Sequence, residues 1–307
     1  MEYMTIKEAS EKWSIGERRI RKLIQDGRVE GAVKQGMNWT IPKDKSKPID
    51  KRNKIEDNII FNIENSLLQE IDCMKEKLDS KRPLSKVTVE SLKNNFNLQF
   101  TYNSNAIEGN TLTLSETRVV LEGITVGGKT IKEQLEAINH KDAILYLEQI
   151  VQENEELSEL EIRNIHRLVL KEIDNENAGK YRNCNVVILG TEHIPPDYTV
   201  VKEKMEELIL RYKDWCKKYH PIIVSALLHG EFVKIHPFSD GNGRAARLLM
   251  NFEIIRNGYT PVIIKNEIRS KYYDALDKAH NTGDYTDFIE LAINSVKDSL
   301  TNYLKLV

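Results

Sequence analysis

Residues 235–251, IHPFSDGNGRAARLLMN, gather a histidine, an aspartate, two glycines and two arginines before the sequence turns apolar. Glycines on either side of a small amide, as at Gly241-Asn242-Gly243, let successive backbone N–H groups converge on an anion. RAARLLMNFEIIRNG follows with helical periodicity and ends at Gly258, which places the glycine loop at a helix N-terminus, where the dipole and the orphan N–H groups also favour negative charge. Arg244 and Arg247 then share one face of the first turn. Cations there oppose the dipole unless an anion lies between them, so the pair points to polyphosphate. His236 precedes the loop and is of the type that takes a proton from a hydroxyl at neutral pH. Asp240 at the loop's mouth is of the type that holds Mg²⁺ beside phosphates. A metal centre built from His229, His236 and Asp240 is the weaker alternative, because a third close imidazole or thiolate is lacking.

The elements that must position these residues are helices. GNGRAA satisfies the dinucleotide pattern GxGxxA, but that pattern needs a strand before it, and HPIIVSALLHGEFVKI reads as a helix. No Lys-Ser/Thr pair follows the glycines, so the P-loop is excluded as well. From about residue 56 onward the chain is predicted to be mainly helical, with apolar residues at three- and four-residue steps through TVESLKNNFNLQFTYNSNAIEG, LSELEIRNIHRLVLKEI and VVKEKMEELILRYKDWCKKY. One interruption, NVVILGTEHIPPDYTVV over 185–201, carries β-branched residues around Gly190 and reads as a hairpin or flap.

The first 43 residues differ in character. TIKEASEKW opens with Thr5 and Glu8 at capping-box spacing, ERRIRKLIQDG is a second short helix closed by Gly27, and RVEGAVKQGMNWTIPKD alternates as a small hairpin would. This stretch resembles the small MerR- or excisionase-like DNA-binding modules, a winged helix-turn-helix in which Arg18, Arg19, Arg21 and Lys22 would enter the major groove. Residues 1–56 hold fourteen Lys and Arg against nine Asp and Glu, a net of +5, whereas the whole chain carries −2. A basic head on an acidic body implies different partners for the two parts. The segment 44–56, charged and containing Pro48, reads as a linker to a domain over 57–307.

HPFSDGNGRAAR matches at every defining position the signature of Fic-domain proteins, HxFx(D/E)GNGRxxR, and on this motif the chain is identified as a member of that family. GKYR at 179–182 with the segment after it is similar to the approach to the family's flap, and KYYDALDKAHNTGDYTDFIELA at 271–292 resembles the helical stretch closing its adenine pocket. The resemblance implies a mainly α Fic-type bundle with a β-hairpin flap and a protein adenylyltransferase activity, moving AMP from ATP to a Ser, Thr or Tyr hydroxyl of a target protein, auto-AMPylation included. His236 would be the base, Asp240 the Mg²⁺ ligand, and Phe238 the anchor of the loop. Gly241, Asn242, Gly243, Arg244, Arg247 and Tyr273 would bind the nucleotide. Gly190, Thr191, Glu192 and His193 would form the flap that holds target backbone by strand addition. His280 stands where some members place an asparagine facing the nucleotide, a departure that bears on nucleoside recognition. Gly243 separates the chain from relatives that carry lysine there and phosphorylate instead.

TYNSNAIEGNT at 101–111 fits the family's inhibitory pattern (S/T)xxxE(G/N), through Ser104, Glu108 and Gly109. Lying before the Fic motif, it implies the second class of the family, in which the glutamate pairs with the final arginine and takes the place of the γ-phosphate. Two other readings stand beside AMP transfer: a deAMPylase in which Glu108 positions water, and a transcriptional regulator whose Fic fold senses nucleotide.

Three cysteines, Cys73, Cys184 and Cys216, odd in number and without CxxC spacing, predict reduced thiols rather than a disulfide framework. The N-terminus lacks signal-peptide character and no apolar run approaches a membrane span, so the expectation is a cytoplasmic chain with no membrane partner. A homodimer is compatible with paired half-sites for the N-terminal module.

Overall fold

The computed structural model describes residues 3–45 apart from 14, 26, 28, 30, 37 and 44, and residues 58–307 apart from 189. The chain divides into two compact units, Met1–Glu56 and Asp57–Val307. All of the expected linker at 44–56 but Lys45 lies outside the described residues.

The small unit runs β1 (Tyr3–Thr5), α1 (Ile6–Trp13), α2 (Glu17–Gln25), β2 (Val33–Gln35) and β3 (Asn38–Pro42). Thr5 opens α1 with a capping box: Glu8 N donates to Thr5 Oγ1 at 3.2 Å and Thr5 N donates to Glu8 Oε2 at 2.7 Å. The strands form an antiparallel sheet in the order β1-β3-β2, with Val33 opposite Thr40 and Tyr3 opposite Pro42. The hairpin was legible in the sequence and β1 was not, because three residues are too short to display an alternation. Ile20, Leu23 and Ile24 turn one face of α2 into a core with Met4, Trp13 and Ile41. That leaves Arg18, Arg21 and Lys22 exposed and Arg19 half-buried.

The large unit is helical: α3 (Asn65–Asp79), α4 (Lys86–Ile107), α5 (Leu114–Leu121), α6 (Ile131–Gln152), α7 (Glu159–Val169), α8 (Val201–Lys218), α9 (Pro221–Ile235), α10 (Asn242–Arg256), α11 (Arg269–Thr282) and α12 (Thr286–Leu304). Capping boxes start α5 at Thr113-Glu116 and α6 at Thr130-Glu133. Each of α9 and α10 buries twelve of its fifteen residues, so the pair is the centre of the bundle and not a surface layer. α10 packs against α9 and is flanked by α4, α6 and α7, while α12 covers α9 and α3. No helix of the described residues is long and apolar enough to cross a membrane.

The hairpin expected over 185–201 is corrected by the structure. Among the described residues no strands pair there; the segment is an irregular loop leading to a short 3-10 turn, Tyr198–Val200. Some of its polar groups pair within the loop: Tyr198 N donates to Asn185 Oδ1 at 2.9 Å, Asn185 Nδ2 to Asp197 Oδ2 at 2.8 Å, and His193 N to Thr191 Oγ1 at 3.0 Å. Pro195 and Pro196 offer no donors to a ladder. Val187 and Ile194 lie 85% and 82% exposed, so the β-branched character that suggested strands has no partner surface among the described residues.

Candidate active site

Helix α9 stops where Pro237 removes the next backbone donor. His236 caps it in the left-handed region, at φ 49° and ψ 59°, a conformation costly for a residue with a Cβ. Arg182 holds it there, donating from Nε to His236 O at 2.9 Å and from its backbone N to Pro237 O at 2.9 Å. The same guanidinium donates to Cys184 O at 2.9 Å and to Pro196 O, so one buried arginine fixes both the histidine and the loop that follows Tyr181. Burial, with the Arg182 cation adding to it, brings the His236 imidazole down to about 4. His236 Nδ1 is buried, and a hydrogen bond to the Val233 backbone partly opposes the fall. The ring is neutral at physiological pH and able to accept a proton.

The loop from 237 to 241 is closed from within. Asn242 Nδ2 donates to Phe238 O at 2.8 Å and Asn242 Oδ1 accepts from Phe238 N at 3.0 Å. The Asn242 amide therefore shapes the loop, and what it can offer a ligand is its backbone N–H. Gly241 takes φ +75° as the N-cap of α10, so the N–H groups of residues 242 to 244 have no intrahelical acceptor. Phe238 is fully buried, as its anchoring role requires. It stacks face to face on His166 of α7, with centroids 3.6 Å apart and planes within 3°. Gly179 N donates to His166 Nδ1 at 3.0 Å, which leaves Nε2–H to donate to Asp240 O at 2.8 Å. Burial brings His166 down to about 4, so this tautomer persists at neutral pH.

Three charged side chains converge on the first turn of α10. Asp240, half exposed, accepts from Gly241 N at 2.5 Å and from Arg244 Nη2 at 3.3 Å, and Lys132 Nζ stands 4.0 Å from its other oxygen. Arg244 is buried, with Glu136 of α6 3.2 Å from Nη1 but off the N–H axis, so its Nε and Nη1 lack an aligned acceptor. Arg247 is 1% exposed. It donates from Nε to Ser104 Oγ at 3.0 Å, from Nη2 to Ser104 O at 2.8 Å and to Glu108 Oε1 at 2.7 Å, and from Nη1 to the Tyr272 hydroxyl at 3.3 Å. Burial opposes its charge, but the Glu108 carboxylate more than offsets this and holds the guanidinium above its ordinary pKa. Tyr272 in turn lies 3.0 Å from His229 Nε2. Glu108 caps the C-terminus of α4, and Gly109 continues at φ +95°. A Cβ on Gly243 would overlap Glu108 Oε1 and come within 3.1 Å of Arg247 Nη1, so only glycine fits while the glutamate keeps its seat.

The structure thus brings together His236, Asp240, the glycine loop, Arg244, Arg247, Ser104 and Glu108. Tyr273 sits beside them, its hydroxyl donating to Ile107 O at 3.3 Å, but the tyrosine on Arg247 is Tyr272, one position earlier. Of the expected flap, Gly190 and Glu192 are exposed, whereas Thr191 donates to Asp277 on α11 and His193 Nε2 lies 2.9 Å from Lys234 O on α9. His280 is buried, with Nε2 2.9 Å from Gly230 O and its ring 5.0 Å from that of His193. His229, buried against Tyr272 and Phe288, does not join His236 and Asp240, and among the described residues no group of three His, Cys, Asp or Glu could hold a metal. Arg18, Arg19, Arg21 and Lys22 belong to the other unit, where Arg21 pairs with Glu17 at 2.9 Å. His166 and Glu136 lie outside every quoted motif, and Arg182 and Tyr272 lie inside the GKYR and KYYDALDKAHN stretches without a role of their own there. His166 had a signal, a histidine on the apolar stripe Ile162-Ile165-Val169.

A neutral histidine beside two buried arginines at a helix N-terminus defines an anion-handling site in a helical bundle. The profile of the Fic/DOC family matches residues 156–254. A Fic domain containing signaling protein from Bacteroides thetaiotaomicron superposes with a TM-score of 0.71 at 30% identity, covering 78% of this chain and 96% of that one. Fic-1 from C. elegans gives 0.70 at 30% identity, over 78% of this chain and 72% of that one. Protein adenylyltransferase Fic of Nematostella vectensis is 37% identical over 249 residues, 79% of this chain and 56% of the relative. The Drosophila erecta protein of the same name is 34% identical over 269 residues, 86% of this chain and 53% of its own length. The chain belongs to the Fic/DOC family. It spans about half the length of the curated relatives it matches.

Proposed function

We propose that the chain is a protein adenylyltransferase that moves AMP from ATP to a Ser, Thr or Tyr hydroxyl of a target protein, itself included, and is held back by Glu108. The observation that carries this reading is the 2.7 Å pair between Glu108 and the fully buried Arg247, at a helix N-terminus shared with His236. In the proposed step the target oxygen attacks the α-phosphorus, its proton passes to His236, and the bond to the departing pyrophosphate breaks. Arg244, whose Nε and Nη1 lack aligned acceptors, and Arg247, once freed from Glu108, would hold the outer phosphates. The N–H groups of residues 242 to 244 face the same anion. Asp240 fits Mg²⁺, which takes one or two carboxylates and completes its shell with phosphate oxygens and water. When bound, the ion would neutralise phosphate charge. Engaging it would draw Asp240 from Arg244.

The exposed edge of the 185–197 loop offers backbone to a target strand, while its ties through Thr191 and His193 fix its position. Transfer from α-labelled but not γ-labelled ATP, abolished in His236→Ala, tests the reading; label from γ-labelled ATP alone would refute it. The deAMPylase reading rests on the same Glu108, and release of AMP from modified protein that persists in Glu108→Gly would exclude it. For the small unit, the exposed cations of α2 support DNA binding, and a band shift lost in Arg18→Ala/Lys22→Ala is the expected result. Nucleotide sensing would appear as a dependence of that shift on ATP. A second copy would cover Ile131, Ile138 and Leu145, exposed at seven-residue steps along α6. Sedimentation should find a dimer that Ile138→Glu dissociates, and one unchanged mass for both would contradict it.

A further inference from the structure

Among the described residues, Asn154, Glu172 and His236 are the non-glycine positions with positive φ. The first two are exposed turn residues, whereas His236 stands at the site and needs something to hold it. Arg182 does so from one edge, through Nε on His236 O and its backbone N on Pro237 O. The rest of its guanidinium reaches both ends of the 185–197 loop: Nη1 donates to Cys184 O at 2.9 Å and to Asn185 Oδ1 at 3.5 Å, and Nη2 donates to Pro196 O. Arg182 is 6% exposed, and all four of these side-chain acceptors are neutral oxygens. Burying a cation on neutral acceptors costs stability, so charge pairing does not account for an arginine here. Its shape does: a rigid planar fork spans three segments at once, which the single nitrogen of lysine does not.

We propose that Arg182 is a positioning residue that couples the 185–197 loop to His236, so that a target strand seated on the loop also steadies the base. The inference rests on the reading of His236 as the base and of the loop as the seat for target backbone. A strand paired with the exposed edge of the loop restrains its two ends. The carbonyls of Cys184 and Pro196 then fix Nη1 and Nη2, and the planar guanidinium passes that restraint to Nε and the His236 carbonyl. With the loop unseated, less opposes the relaxation of His236 from its left-handed conformation. Asn185 closes the loop on itself, accepting from Tyr198 N at 2.9 Å and donating to Asp197 at 2.8 Å. It is exposed and its hydrogen bonds do not include His236, so it perturbs the loop end of the coupling alone.

A double-mutant cycle of Arg182→Lys and Asn185→Ala on the full chain tests this, with two readouts. The first is hydrogen exchange followed by mass spectrometry, which needs no activity. Asn185→Ala should speed exchange in the 236–241 turn about threefold when Arg182 is present and leave it unchanged in Arg182→Lys. The second is AMP transfer in the Glu108→Gly background, with the His236→Ala chain as acceptor. Arg182→Lys should lower kcat about tenfold and Asn185→Ala about threefold, with ATP affinity unchanged, and the double variant should be no slower than Arg182→Lys alone. A merely structural role would instead lower ATP affinity together with kcat. Should Arg182→Lys fail to fold, Asn185→Ala alone still decides, through exchange at 236–241. Exchange there that ignores Asn185→Ala, losses of kcat that multiply in the double variant, or ATP affinity falling in step with kcat would overturn the proposal. If Glu108→Gly moves no AMP at all, the proposed function fails, and the exchange result by itself decides the coupling.

Discussion

Replacing Glu108 by glycine should make the protein less stable and its affinity for ATP higher, through one interaction. Arg247 is 1% exposed and loses the counter-ion at 2.7 Å, but keeps the Ser104 hydroxyl, the Ser104 carbonyl and Tyr272. Breaking a fully buried pair costs about 3–5 kcal/mol, and an exposed one contributes at most about 1 kcal/mol. Glu108 is 34% exposed on its side chain, so solvent screening places the loss between these limits, at about 2 kcal/mol. For a domain of this size that is a fall of about 4–8 °C in melting temperature. If Arg247 holds the outer phosphates as proposed, the wild type must break the same contact before they reach it. Its ATP affinity should therefore be weaker than that of Glu108→Gly by about 2 kcal/mol, roughly 30-fold. Differential scanning calorimetry with and without ATP, together with equilibrium dialysis of the nucleotide, measures both quantities. Equal melting points and equal dissociation constants for the two proteins would refute the reasoning, since each follows from the same ion pair.

Acid should destabilise the large unit through its histidines. Burial brings His166, His236 and His280 down to about 4 and holds His140 and His229 well below the ordinary value. Between pH 6.5 and 4 the unfolded chain binds protons that the folded chain refuses, so stability falls as pH falls, by about 3–4 kcal/mol per pH unit from the first three residues alone near pH 5. A melting temperature flat from pH 7 to 5 would contradict this. Gly243→Ala should destabilise the wild type but have little effect in Glu108→Gly, because the clash is with Glu108 Oε1; equal costs in both backgrounds would show that the glutamate does not sit there. His166→Leu removes the acceptor for Gly179 N and the donor to Asp240 O, and should slow AMP transfer at least tenfold at temperatures where the variant is folded. Unchanged labelling rates would mean that the loop holds its shape without His166.

The chemistry was legible where it is local. The glycine loop, the two arginines and the histidine lie within twelve residues, and the turn of α9 into α10 carries them as a block. Arg247 and Glu108 stand 139 positions apart, and only the resemblance joined them before the fold placed α4 against α10. Glu136 was illegible for the same reason, and Arg182 and Tyr272, though inside the GKYR and KYYDALDKAHN stretches, take their roles from contacts with elements far apart in sequence. The 185–201 segment misled because β-branched residues mark strands only where a neighbour is present to pair with them. β1 was missed for the converse reason, since three residues become a strand only because β3 lies beside them. Asn242 was assigned to the nucleotide by its place in the motif, and its side chain proves to be engaged by Phe238 on both sides.

The central claim, that His236 drives AMP transfer under the restraint of Glu108, is tested most directly by intact-protein mass spectrometry after incubation with ATP and Mg²⁺. Glu108→Gly should gain the mass of one or more AMP groups on hydroxyl residues, the wild type should gain far less, and Glu108→Gly/His236→Ala should gain none. A gain of phosphate in place of AMP, or an AMP gain that survives the loss of His236, would contradict the account.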